Sequence, residues 1–145
     1  MDSFDKRKAY GNTGEGIVKT YLEDTGHIVY TTDTLAPHPV DMICYSSSNQ
    51  SVFYVEVKTK TTMNKYPAYT IDDTHLSGYK DMENTDMTMM LYCVNKDEKK
   101  IVGGKLSNLL RDSYKIKESD TYTCLPAVNF KLIKSLTTEE VKSIK

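Results

Sequence analysis

The 145-residue chain has no long apolar run, few cysteines and almost no net charge. No stretch approaches the roughly 18 consecutive apolar residues that a membrane-crossing helix needs, so no membrane span is expected. The opening "MDSFDKRKAY" also lacks the apolar centre of a secretory signal. The expectation is an intracellular, cytoplasmic protein, in the host cytoplasm if its source is viral. Cys44, Cys93 and Cys124 are odd in number, far apart and without Cys-x-x-Cys spacing, which argues against a disulfide framework or a zinc knuckle. Cys44 and Cys93 fall inside strand-like runs, where a reduced cysteine behaves as a small apolar residue. Lys and Arg number 19 against 20 Asp and Glu, a net charge of -1. The chain is therefore not the strongly basic object that often signals nucleic-acid binding, and any such surface has to be a local patch. Glycine-rich phosphate loops and nucleophile-base pairs are missing too, which leaves a small-molecule enzyme without support.

What is present is the composition of a folded domain, with 39% hydrophobic and 27% charged residues. The length suits one domain over residues 1–145 with a core of its own. "GNTGEGIVKTYLEDTG" (11–26) carries Ile17, Val18, Tyr21 and Leu22 at helical spacing and closes on Gly26, which predicts a first helix. "HIVYTT" (27–32) reads as a strand, and the two prolines of "TLAPHP" mark a loop. "VDMICYS" and "SVFYVEVKTK" are strand-like runs around the polar turn "SSNQ", an antiparallel hairpin. "IDDTHLSGYKDMEN" (71–84) predicts a second helix with Asp72 or Asp73 as its cap. "MTMMLYCVN" (87–95) reads as a central strand and "KKIVGG" as a shorter one; "KLSNLLRDSY" (105–114) reads as a short helix. "AVNFKLIKSL" is a last strand or packing segment before a polar tail. The order α-β-β-β-α-β-β-α predicts an α/β fold with one central mixed sheet flanked by helices.

The hairpin makes a sharper prediction. With the turn centred between Ser48 and Asn49, Asp41 stands opposite Glu56, and opposed residues share a face with Cβ atoms about 4.5–5.5 Å apart. Glu56 and Lys58, two apart on one strand, share that face as well. Two carboxylates facing each other across a hairpin repel, unless a cation offsets them. Lys58 or a bound metal can supply it, and oxygen ligands of this kind suit Mg²⁺ or Mn²⁺. Glu15, flanked by Gly14 and Gly16, lies at the edge of the apolar arc of the first helix, where an acid can look towards the sheet.

"GEG" (14–16) opening a helix, "PVD" (39–41) and "EVK" (56–58) on successive hairpin strands together resemble the PD-(D/E)XK nuclease superfamily. The resemblance covers roughly residues 10–95 and points towards Holliday-junction-resolvase-like and small phage-type members. It implies a restriction-endonuclease-like core of α-β-β-β-α-β order. By that resemblance Asp41 and Glu56, with the carbonyl of Val57, bind Mg²⁺ or Mn²⁺. Lys58 positions the attacking water and stabilises charge on the phosphate, and Glu15 reaches the site through a metal-bound water. Many relatives carry Gln or Tyr on the second helix; here the counterparts are His75 and Tyr79. Lys60 and His38 complete the residues expected against nucleic acid, with Lys65, Lys105, Arg111, Lys115 and Lys117 as sources of a basic patch. The activity implied is a metal-dependent endonuclease on DNA, structure-selective or modest in sequence preference, with RNA left open and a homodimer plausible. The alternative is a catalytically silent nuclease-fold protein that binds nucleic acid or a protein partner.

Overall fold

The computed structural model describes residues 3–32, 40–62, 67–83 and 87–144, with the side chains of the first helix described from Gly14 onward. His38 and Lys65 lie outside the described residues. The elements run α1 (Ser3–Asp24), β1 (His27–Thr31), β2 (Met42–Ser46), β3 (Ser51–Thr59), β4 (Ala68–Asp72), α2 (Asp73–Glu83), β5 (Thr88–Asn95), β6 (Lys100–Lys105), α3 (Leu106–Leu109), β7 (Tyr122–Pro126), a 3-10 turn (Ala127–Asn129), β8 (Lys131–Ser135) and α4 (Thr138–Ser143).

Six of the strands form one mixed sheet in the order β1-β2-β3-β5-β6-β8. The polar turn after Ser46 fixes the β2–β3 hairpin, whose pairs run from Ser46↔Ser51 to Met42↔Val55, the expected register. β3 and β5 pair in parallel, so the chain must cross over between them, and β4 with α2 makes that crossing. β5 is buried on both faces, as its continuous apolar run predicts.

The sheet separates two cores. On one face Val18 and Leu22 of α1, with Ile144 just past α4, pack over Met42, Cys44, Val55, Tyr92, Val94 and Ile101. On the other face α2 and α3 join Tyr69, Ile71 and Leu125 against Met89, Leu91, Cys93 and Val102.

Four expectations change. The first helix begins at Ser3 and runs through Gly11, Gly14 and Gly16, so Glu15 lies well inside it rather than in its first turn. Glycine there has a packing reason: a Cβ on Gly14 would stand 2.5 Å from Thr59 Oγ1. Ile71, expected on the second helix, belongs to β4, which pairs with β7 in a second, two-stranded sheet. α2 therefore begins at Asp73, with Asp72 Oδ1 accepting from the Thr74 N–H at 2.8 Å. The polar tail folds as α4, closed by a capping box between Thr137 and Glu140. The third helix is also shorter than expected, ending at Leu109.

Candidate active site

Asp41 sits where the β2–β3 ladder ends. Its N–H donates to the Val55 carbonyl at 3.1 Å, and its Oδ2 accepts from the Val57 N–H at 2.8 Å. The side chain thus takes the place of a main-chain acceptor, which locks the carboxylate over the middle of β3. Glu56 is 8% exposed, one of three buried polar or charged residues among those described. Asp41 lies within hydrogen-bonding reach of both Glu56 and Glu15. The predicted acids therefore meet, with α1 delivering Glu15 to the end of the hairpin.

Tyr79 points inward from α2, 3% exposed, and its hydroxyl donates to Glu56 Oε2 at 2.5 Å. Expected against nucleic acid, it is instead buried, with its hydroxyl held on the Glu56 carboxyl. Lys58 Nζ stands 3.9 Å from the same Oε2 and 3.4 Å from His75 Nδ1, and lies 5.8 Å from the centre of the Tyr79 ring. His75 is exposed at the mouth of this group. Lys60 does not extend outward freely: its Nζ donates to the Thr70 carbonyl at 2.5 Å. Burial, and then the neighbouring charge of Lys58, hold the Lys60 ammonium below its ordinary range. It lines a cleft of about 390 Å³ with Thr59, Thr70 and Lys96. Lys115, expected as a source of surface charge, is tied to Asp73 Oδ2 at 2.5 Å and to the carbonyls of Asp120 and Tyr122. It fixes the start of α2 rather than offering a free cation.

The electrostatics follow from crowding three carboxyls against one ammonium. Burial pushes Glu56 up to about 9, with the hydrogen bond and charge of Asp41 adding and Tyr79 and Lys58 opposing. Burial likewise pushes Glu15 up to about 7, reinforced by Asp41 and opposed by Lys58. At neutral pH the group by itself holds protons, since carboxyls within hydrogen-bonding reach cannot all be ionised without a cation. Among the described residues no three His, Cys, Asp or Glu side chains form a ready-made metal cage. Mg²⁺ does not require one, because it keeps several waters and uses one or two carboxylates together with substrate phosphate. The Asp41 and Glu56 carboxyls, brought together at the end of the hairpin, fit such an ion on that chemistry.

No protein-family profile and no curated protein sequence matches the chain. Solved structures do. Hjc of Archaeoglobus fulgidus, a Holliday junction resolvase from an archaeal hyperthermophile, superposes with a TM-score of 0.53 at 10% identity, over 77% of this chain and 87% of that one. D212, a nuclease from a fusselovirus, superposes with a TM-score of 0.53 at 12% identity, over 99% of this chain and 93% of that one. The fold is that of the resolvase-type nucleases. The mixed sheet flanked by helices expected from the sequence is thus found. Tyr79 was within reach of sequence reasoning as a helix-face residue, but its partner was not. Only the packing of α2 against β4 and β5 reveals that its hydroxyl reaches Glu56.

Proposed function

We propose that the protein is a metal-dependent nuclease that hydrolyses phosphodiester bonds in DNA, structure-selective or modest in sequence preference. The observation that carries this reading is the convergence of Asp41, Glu56 and Lys58 at one end of a hairpin, where burial raises the Glu56 carboxyl. Asp41 and Glu56, with the Val57 carbonyl, would hold Mg²⁺ or Mn²⁺. When bound, the ion supplies Lewis-acid polarisation of the phosphate and a water acidified towards neutral pH. The chain's own groups do the rest. Tyr79 fixes the Glu56 carboxylate through its hydroxyl, and the Asp41 carboxylate is fixed by the Val57 amide. The Lys58 ammonium, held beside Glu56, neutralises charge that builds on the phosphate as the bond to water forms and the bond to the leaving oxygen breaks. Glu15, with its carboxyl pushed to about 7, is poised to take the proton released by the attacking water near neutral pH. The similarity in fold to a Holliday junction resolvase and a viral nuclease supports the same class of substrate.

The test is cleavage of labelled single-stranded, duplex, flap and four-way-junction DNA with Mg²⁺ or Mn²⁺, for the wild type and for Glu56→Ala and Lys58→Ala. Metal-dependent cutting that both substitutions abolish is the expected result. A wild type that binds these DNAs and cuts none would replace this reading with that of a silent binding protein.

A further inference from the structure

We infer that the sheet face leading into the carboxylate site is a stacking platform for unpaired bases, which makes the substrate a nucleic acid with single-stranded nucleotides beside the cleaved bond. The inference rests on the nuclease reading above and names the substrate for it.

Cross-strand pairing lays the meander out in rows. Ile28 pairs with Tyr45 and Tyr45 with Val52; Tyr30 pairs with Ile43 and Ile43 with Tyr54. Paired residues share a face and successive rows lie two residues apart. The next row on that face is the one that ends in Asp41 and Glu56. The opposite face is taken: Val29 and Phe53 pack into the α1-side core. On the platform side, Tyr54 leans on the α2-side core, but the outer rows are bare. Among the described residues five large apolar side chains are well exposed, and three of them lie here: Ile28 at 51%, Tyr30 at 61% and Val52 at 46%. An exposed apolar patch of this kind marks a binding surface.

Two observations select the occupant. The patch is continuous with the site, so a strand that covers it runs towards the row of Asp41 and Glu56 and the Lys58 ammonium beside it. Its chemistry is also graded along one face of β3, which reads Val52, Tyr54, Glu56, Lys58. Uncharged apolar and aromatic groups give way to the carboxylate and then to the Lys58 ammonium. That gradient matches a nucleotide strand with bases over the exposed Tyr30 end of the face and phosphate towards Lys58. Base–aromatic stacking tolerates any sequence because every base has a π-face. In a duplex those faces are hidden in the stack, so only unpaired nucleotides can use the platform.

The test uses fluorescence anisotropy in EDTA, which removes cleavage, with a labelled oligothymidylate and an abasic strand of equal length. The wild type should bind the thymidylate strand more tightly than the abasic one. Tyr30→Ala and Tyr45→Ala should each weaken thymidylate binding by roughly 5- to 100-fold and leave abasic binding unchanged, while Tyr30→Phe keeps the preference. Equal binding of the two strands, or unchanged affinity in Tyr30→Ala, would overturn the platform. So would sedimentation showing a dimer that Tyr30→Ala dissociates, since the face would then meet a second copy. A wild type that cuts DNA with Mg²⁺ but shows no base preference sinks the platform alone. One that neither cuts nor binds any nucleic acid sinks the nuclease reading with it.

Discussion

Tyr79→Phe removes one oxygen atom and tests the electrostatic design of the site. The hydroxyl donates at 2.5 Å to Glu56 Oε2 between two residues that are 3% and 8% exposed. Without metal at pH 7, Glu56 is largely protonated, because its carboxyl is raised to about 9. The lost bond is then a neutral one, worth about 1 kcal/mol. That is a fall in Tm of roughly 2–4 °C for a chain of this size. With metal bound, Glu56 is ionised and the lost bond is charge-assisted, worth about 1.5–3 kcal/mol. The difference, about 0.5–2 kcal/mol, falls on metal binding and weakens it roughly 2- to 30-fold. The hydroxyl also opposes the rise at Glu56, so its removal shifts the acid limb of the cleavage profile to higher pH. Urea unfolding in EDTA and Mn²⁺ titration calorimetry at pH 7 and 9 give the two numbers. Equal destabilisation with and without Mn²⁺, with unchanged metal affinity and an unmoved pH profile, would refute the reasoning and leave the hydroxyl a packing group.

Other outcomes follow from the same geometry. In EDTA the protein should lose stability as pH rises from about 5 to 9: Glu56 is raised above its unfolded value, so its contribution is complete below about 4.5 and lost as pH climbs through about 9. Denaturant melts across that range, repeated with saturating Mg²⁺ to flatten the slope, check it. Glu56→Gln should be more stable than the wild type in EDTA at pH 9 and inactive in cleavage. Lys58→Ala should lose cleavage by roughly 100-fold or more while binding Mn²⁺ no more weakly in calorimetry, because it removes a charge that competes for Glu56. Gly14→Ala should destabilise despite a helix-propensity gain of about 1 kcal/mol, since its Cβ meets Thr59 Oγ1. In a Thr59→Ala background the same change should become neutral or stabilising, read by a double-mutant cycle of unfolding free energies.

The legible parts of this fold are those set by neighbours in sequence. A polar turn between two alternating runs determined the β2–β3 register, and through it the meeting of Asp41 with Glu56. Period alone could not assign Ile71, which fits a helical arc with His75, because what makes it a strand is β7, some fifty residues later. No local pattern shows that α1 begins as early as Ser3, or that Gly14 lies where the helix passes close to Thr59. The Thr137–Glu140 capping box was written in the sequence as Thr-x-x-Glu and would have predicted α4. The environments of Tyr79, Lys60 and Lys115 depend on contacts across the sheet crossover, which no local pattern encodes.

The three cysteines carry one more consequence. Cys44 lies in the core beneath α1 and Cys93 in the core beneath α2, while Cys124 is buried on β7 of the second sheet. Burial pushes the thiols of Cys44 and Cys93 up to about 12, so the reactive thiolate is scarce while the layers stay closed. An alkylating reagent can then reach each sulfur only when its own layer opens. Single-cysteine variants would act as three internal clocks, timing separately the release of α1, the parting of the crossover and the fraying of the small sheet.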